Sequence, residues 1–227
     1  MINYLNIETL IGENFGMNFK NRSVNIDTTI RCTLECPKCQ RQGLRRQGKK
    51  IPGQDISIDD FIKLTNYFKK GVNFCGQMSD PIFHPRFIDM LKYCYDNNIN
   101  TRIATAASHK KTSWYKEAFL ANKNALWVFG IDGLPKDSHK YRINQDGVHL
   151  FEMMKMANNL GLSVIWQCIV FRYNENDIDK CKQIAKENNI KIDINMSGRW
   201  NNDDKYKPLN PKYYLNSNRE EFYRNLK

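Results

Sequence analysis

The sequence predicts an α/β protein whose six parallel strands form an open partial (β/α)6 barrel. Three observations carry this expectation. Apolar runs of strand length alternate with amphipathic stretches of helix length, the connections between them are short, and the pairing stops short of the eight units that close a barrel. In such a sheet, chemistry gathers at the C-terminal ends of the strands. A cysteine triplet, CTLECPKC at 32–39, begins at the end of the first one.

The elements follow in order. VNIDTTIRC (24–32) partly alternates polar and apolar residues and reads as a strand that delivers Cys32. A basic loop runs to Gln54. SIDDFIKLTNYFKKG (57–71) reads as a helix, with Ser57 as its cap, Asp60 three residues on, an apolar face of Ile58, Phe61, Ile62 and Thr65, and Gly71 as its stop. VNFCGQ (72–77) is a short strand, and PRFIDMLKYCYDNN (85–98) is a helix with Phe87, Met90, Leu91 and Cys94 on one side. The pairing then repeats: strands at 100–107, 125–133, 162–171 and 190–197, and helices at 113–123, 147–161 and 176–189.

Composition narrows the function classes. Hydrophobic residues make up 41% and aromatics 12% of 227 residues, enough for a packed core and against disorder. No stretch approaches the roughly 18 consecutive apolar residues of a spanning helix, and the first residues carry acidic groups where a signal peptide is basic. A cytoplasmic protein without membrane association is expected. Seven cysteines, three of them clustered, point to metal or catalysis rather than a disulfide framework. The net charge of +11, much of it in QRQGLRRQGKK (40–50), fits an anionic partner or a solvated lysine-rich surface.

CTLECPKC holds three thiols and no obvious fourth. A structural zinc site takes four ligands, so the triplet is an incomplete zinc knuckle or a site that leaves one metal position open. A 4Fe-4S cube bound by three cysteines has an iron free for a ligand that is not protein. In its CxxxCxxC order after a first strand, this segment resembles the signature of the radical S-adenosylmethionine superfamily. The resemblance implies one 4Fe-4S cluster on Cys32, Cys36 and Cys39, at the C-terminal ends of the strands. It also implies that S-adenosylmethionine binds the free iron and is cleaved reductively to a 5′-deoxyadenosyl radical that takes a hydrogen atom from the substrate.

Further segments carry the resemblance along residues 22–200. Gly76-Gln77-Met78-Ser79-Asp80-Pro81 stands where relatives have a Gly-Gly-Glu-Pro-like turn holding the methionine amino group, with Asp80 in place of the glutamate. TAAS (105–108) stands where they have Thr-Asn-Gly-Ser and keeps Ser108. VFGIDG (128–133), with Asp132 and Gly133, followed by Arg142, resembles the fourth-strand segment and the arginine that meets the cofactor carboxylate. WQCIVFRYNENDI (166–178) resembles the fifth, which puts Asn174 and Glu175 near the adenosine or the substrate. The implied cofactor site is thus Gly76, Asp80, Ser108, Asp132, Arg142 and Asn174. Cys168 is a candidate hydrogen-atom donor if its strand face points into the barrel. Cys94 and Cys181 read as core residues, Cys75 as core beside the Gly76 turn, and His84 and His109 as rim histidines.

The branch most resembled includes sulfatase-maturing and peptide-modifying enzymes, which implies a peptide or protein substrate and an electron donor such as flavodoxin or ferredoxin. That branch carries a cysteine-rich C-terminal extension, whereas here no cysteine follows Cys181. The expected organisation is an N-terminal segment (1–21), a core domain (22–200) and a tail (201–227) that covers the barrel or docks a partner. Two other readings stay open: the same chemistry on a nucleotide or nucleic acid, and a non-catalytic zinc or iron–sulfur module.

Overall fold

Alternation along the strands decides which face of the sheet is covered. Thr101, Ile103 and Thr105 are buried while Arg102 and Ala104 between them are half-buried, and Val164, Trp166 and Cys168 alternate in the same way with Ile165 and Gln167. A period of two in a parallel sheet means that helices pack on one side and leave the other open. The computed structural model describes residues 22–198, 200 and 204–213. Its strands β1 (Ser23–Ile26), β2 (Gly71–Phe74), β3 (Thr101–Thr105), β4 (Leu126–Gly130), β5 (Ser163–Ile169) and β6 (Lys191–Asn195) form one sheet in sequential order. Every pairing is parallel, and β1 and β6 are its two unjoined edges. The open, parallel α/β architecture expected from the sequence is the one found.

Among the described residues six α-helices accompany it: α1 (Gln40–Arg46), α2 (Ile58–Tyr67), α3 (Phe87–Asp96), α4 (Thr112–Ala121), α5 (Gly147–Asn159) and α6 (Ile178–Glu187). Phe61, Phe87, Met90, Leu91, Phe119, Leu150, Met154 and Cys181 from these helices share one core with Ile103, Trp127, Phe129, Trp166 and Cys168 of the sheet. The opposite face carries Asn25, Asn73, Arg102 and Gln167, with the Asn73 amide donating to Asn25 Oδ1 at 2.8 Å. No helix among the described residues is long and apolar enough to cross a membrane.

Differences from the sequence expectation have local causes. The basic loop after the cysteines contains α1, a short helix that apolar periodicity could not reveal because its Gln, Arg and Leu residues form helix by propensity alone. Helix α2 starts as predicted, with the Ser57 hydroxyl accepting from the Asp60 N–H at 3.0 Å, but stops at Tyr67. Gly71 opens β2 instead. Its φ is +130°, and a Cβ there would lie 2.3 Å from the Asn100 carbonyl oxygen, so only glycine lets the chain enter the sheet at this point. The predicted strands also overran their C-terminal ends, and the residues past Ile26, Phe74, Thr105, Gly130 and Ile169 are loops that build the site. The N-terminal segment and residues 201–203 and 214–227 of the tail lie outside the described residues.

Candidate active site at the strand ends

The loop leaving β1 crosses the C-terminal edge of the sheet and is held there by backbone contacts. The Cys39 N–H donates to the Cys36 carbonyl at 3.0 Å and the Glu35 N–H to the Ile143 carbonyl at 3.1 Å. The Asn144 amide donates to the Thr33 carbonyl at 3.2 Å, and the Thr33 hydroxyl meets His109 Nδ1 at 2.8 Å. Cys32, Cys36 and Cys39 are free and half-buried. Burial, with the charge of Asp80 behind it, pushes the Cys32 thiol up to about 12. Burial also pushes Cys36 up to about 11, against the pull of Arg142. Such thiols keep their protons near neutral pH until a metal displaces them.

The turn after β2 lies beside this loop. The Cys39 thiol points at the Gln77 carbonyl at 3.8 Å. A Cβ on Gly76 would lie 1.8 Å from the Ser79 carbonyl oxygen, so glycine is required for the turn to close. Asp27, at the end of β1, was not singled out from the sequence, yet it fixes this turn by accepting from the Gln77 N–H at 3.1 Å and from the Ser79 hydroxyl at 2.5 Å. Asp80 is buried and points the other way. Its oxygens accept from the Thr105 hydroxyl at 2.8 Å and from the N–H groups of Ala106, Ala107 and Ile82 at 2.8, 3.0 and 3.3 Å. Protein donors thus surround the carboxylate that the resemblance places against a ligand ammonium. Burial nonetheless raises its pKa against these hydrogen bonds.

The ends of β3 and β4 meet over Gln145, a buried residue that sequence reading missed. Its amide donates to the Ala106 carbonyl at 2.5 Å and to the Gly130 carbonyl at 2.9 Å, and its oxygen accepts from the Ser138 hydroxyl. Ser108 accepts from the Asp146 N–H at 2.7 Å and so ties the end of β3 to the start of α5. Asp132 is fully buried. One oxygen accepts from the Ile169 N–H at 2.8 Å, and the other lies 2.7 Å from Arg142 Nε, off the N–H direction, as an ion pair rather than a directed hydrogen bond. The Arg142 side chain is 14% exposed. Burial opposes its charge, but Asp132 and Cys36 more than compensate and raise its pKa. A Cβ on Gly130 would come within 3.0 Å of the guanidinium, so this glycine gives Arg142 its place across the strand ends.

The fifth-strand residues have structural partners. Asn174 is buried, accepts from the Phe171 N–H at 2.7 Å and donates to the Ile169 carbonyl at 3.0 Å, so its amide makes these bonds within its own loop. Gly133 passes close over it, where a Cβ would lie 2.6 Å from Asn174 Cβ. Cys168 faces the helices: it belongs to the core with Cys181 and accepts from the Gly133 N–H at 3.1 Å. A hydrogen bond with Cys181, then burial, raises its pKa. The condition for its hydrogen-atom role, a face turned into the barrel, is not met. His84 is buried with both ring nitrogens engaged, by the Ile56 carbonyl and the Arg86 N–H, each at 3.0 Å. Glu175 accepts from the N–H groups of Leu209 and Asn210 at 3.0 and 2.9 Å, which pins the described part of the tail to this edge.

Cys32, Cys36 and Cys39 offer three thiols on one loop, a donor set whose chemistry suits an iron–sulfur cube, which takes one thiolate per iron. Arg41 gives a second indication that an anion belongs here. It is 7% exposed, and among the described residues its guanidinium donates to the carbonyls of Ile30 and Met78 alone and its Nε has no partner. Burial and the charge of Arg45 press its pKa down, while the sulfurs of Cys32 and Cys39, when ionised, pull it up.

No family model matches the chain, and neither does any curated protein sequence. Solved structures do match in fold. The structure of Streptococcus suis SuiB bound to S-adenosylmethionine superposes with a TM-score of 0.65 at 15% identity over 86% of this chain. SuiB bound to precursor peptide SuiA gives 0.63 at 16% identity over 78%. Native anSMEcpe with bound AdoMet gives 0.60 at 15% identity over 90%. The chain spans 45%, 39% and 59% of those three chains.

Proposed function

We propose that the chain is a radical S-adenosylmethionine enzyme acting on a peptide or protein side chain, with Cys32, Cys36 and Cys39 as ligands of one 4Fe-4S cluster. The observation that carries this reading is the loop 32–39, three free half-buried thiols at the open end of a parallel sheet beside an arginine anchored on a buried carboxylate. The likeness of fold to SuiB and anSMEcpe, structures described with S-adenosylmethionine or AdoMet bound, supports the cofactor, and SuiB with its precursor peptide supports the substrate class. When bound, the two cofactors supply an electron and a sulfonium C–S bond whose cleavage lets a hydrogen atom be taken from the substrate.

The chain's own residues bind and orient. Arg142, fixed by Asp132, presents its guanidinium to the cofactor carboxylate, a pairing that is strong in a site shielded from water. Carbonyls of the turn at 76–79 accept from the ammonium, while Asp80 and Asp27 hold that turn in place from behind. Tyr141 stacks on Phe171 at 4.0 Å and Tyr206 packs edge-on against Tyr141 at 5.2 Å, an aromatic wall that excludes water from the Cys36 side. Residues 22–200 act as the catalytic core in this reading, the described tail residues 204–213 cover one edge, and flavodoxin or ferredoxin delivers the electron. Seven free cysteines suit the reducing cytoplasm.

The test is anaerobic. The protein is reconstituted with iron and sulfide and reduced with dithionite in the presence of S-adenosylmethionine, and 5′-deoxyadenosine is sought by mass spectrometry. Product that vanishes in Cys36→Ala supports the assignment. A colourless protein that holds zinc and makes no deoxyadenosine overturns it.

A further inference from the structure

Buried cations in proteins are normally paired, because an isolated charge away from water is costly. Around the cysteine loop, Arg142 pairs with Asp132, Lys38 with Asp204, Arg31 with Asp55 and, more loosely, the exposed Arg45 with Glu35 at 3.7 Å, while the exposed Arg46 reaches the Pro37 carbonyl. Among the described residues Arg41 has no acidic partner, although it is the most enclosed of the α1 residues. Its guanidinium touches two carbonyls, its Nε has no partner, and it shares a cavity of about 620 Å³ with Cys32, Arg31 and Asp55, whose carboxylate is taken by Arg31 at 2.6 Å. The chain places it by geometry: it lies two residues after Cys39, on a helix that starts at Gln40, and its hydrogen bonds hold it against the carbonyl two residues before Cys32.

We infer that Arg41 is the counter-charge of the cluster, a positioning residue whose fixed positive charge beside Cys32 and Cys39 stabilises the reduced form. The inference rests on the functional reading above. A cube with three thiolates is anionic and gains a further negative charge when it takes one electron, with no bond made or broken in that step. A guanidinium held nearby at intermediate dielectric favours that extra charge and raises the reduction potential. The two carbonyl hydrogen bonds fix the distance, so the effect is built into the loop.

The test compares reconstituted wild type, Arg41→Lys, which keeps the charge, and Arg41→Gln, which keeps donors and loses it. Iron and sulfide content is measured, and the midpoint potential is read from a redox titration followed by electron paramagnetic resonance. Arg41→Gln is expected at a more negative potential, so that at a fixed solution potential its ratio of reduced to oxidised cluster falls by at least about tenfold, while Arg41→Lys stays near wild type. If Arg41→Gln takes up no cluster and Arg41→Lys does, the charge requirement is equally supported. Equal potentials in wild type and Arg41→Gln overturn the inference, as does an Arg41→Lys protein that behaves like Arg41→Gln. A wild-type protein that assembles no cluster sinks the functional reading itself, an outcome separate from these.

Discussion

Asp80 and Cys168 show how a side chain's role turns on the direction it faces. Asp80 was picked from a segment that resembles a cofactor-binding turn and Cys168 on the condition that its strand face points into the barrel, and Cys168 does lie in a strand, β5. Asp80 points back toward Thr105, Ala106 and Ala107, and so it organises the turn from behind. Cys168 sits on the covered face of β5, among helix side chains. Cys168→Ala is therefore expected to cost about 1–2 kcal/mol of stability through lost packing, and to leave the yield of 5′-deoxyadenosine and substrate turnover unchanged. Urea unfolding read beside the deoxyadenosine assay checks this, and a Cys168→Ala protein that folds normally but no longer turns over substrate would contradict it. The cysteine triplet was legible as a candidate site because its spacing is written along the chain. Asp27 and Gln145 were not, since a carboxylate or amide that ties strand ends together carries no local signal and becomes visible only when the strands are side by side.

The elements were legible in kind and less so in extent. Alternation and helical periodicity mark where a strand or helix exists, but the point at which a strand leaves the sheet depends on what its neighbour offers. The segment 204–210 belongs to the part that sequence could not place. Backbone groups of Asp204, Tyr206 and Lys207 bond to Arg172, those of Leu209 and Asn210 bond to Glu175, and Asp204 pairs with Lys38 inside the cysteine loop. This strap links the fifth-strand loop to the cysteine loop. The Asp204 side chain is only 4% exposed; burial opposes its charge, but the hydrogen bond from Lys38 and other partners lower its pKa below the usual 3.8. A carboxyl whose folded pKa is depressed contributes stability above its unfolded pKa, and that contribution fades as pH falls through the folded value. Asp204→Asn is thus expected to lose about 1–2 kcal/mol at pH near 6 and distinctly less near pH 3, with faster amide exchange in residues 33–39 measured at the higher pH. An equal loss at both pH values would show that the strap is held by its backbone contacts alone.

At the scale of the molecule, the net charge of +11 is the property that sequence left most ambiguous, and the placement of charges gives it a direction. Lys63, Arg86, Lys140, Lys155 and Lys182 each meet an acidic residue three positions away, in pairs that are largely solvent-exposed. Such pairs mix the two signs over the outer surface and do not make the continuous basic stripe that follows a phosphate backbone. The uncovered face of the sheet, where a substrate would lie, carries the amides of Asn25, Asn73, Gln167 and Asn195 beside Ile165 and Ile169, and its two cations among the described strand residues are Arg102 and Lys191, the latter 3.4 Å from Asp193 on the same face. That surface suits the backbone and side chains of a peptide. Binding of a labelled single-stranded RNA should accordingly be weak, and the slope of log K against log salt should be shallower than about −2, the mark of only two or three phosphate contacts. Fluorescence anisotropy across a salt series reads this directly. A slope of about −4 or steeper would mean that the basic segment around α1 engages a nucleic acid backbone, and the substrate search would then move from peptides to RNA.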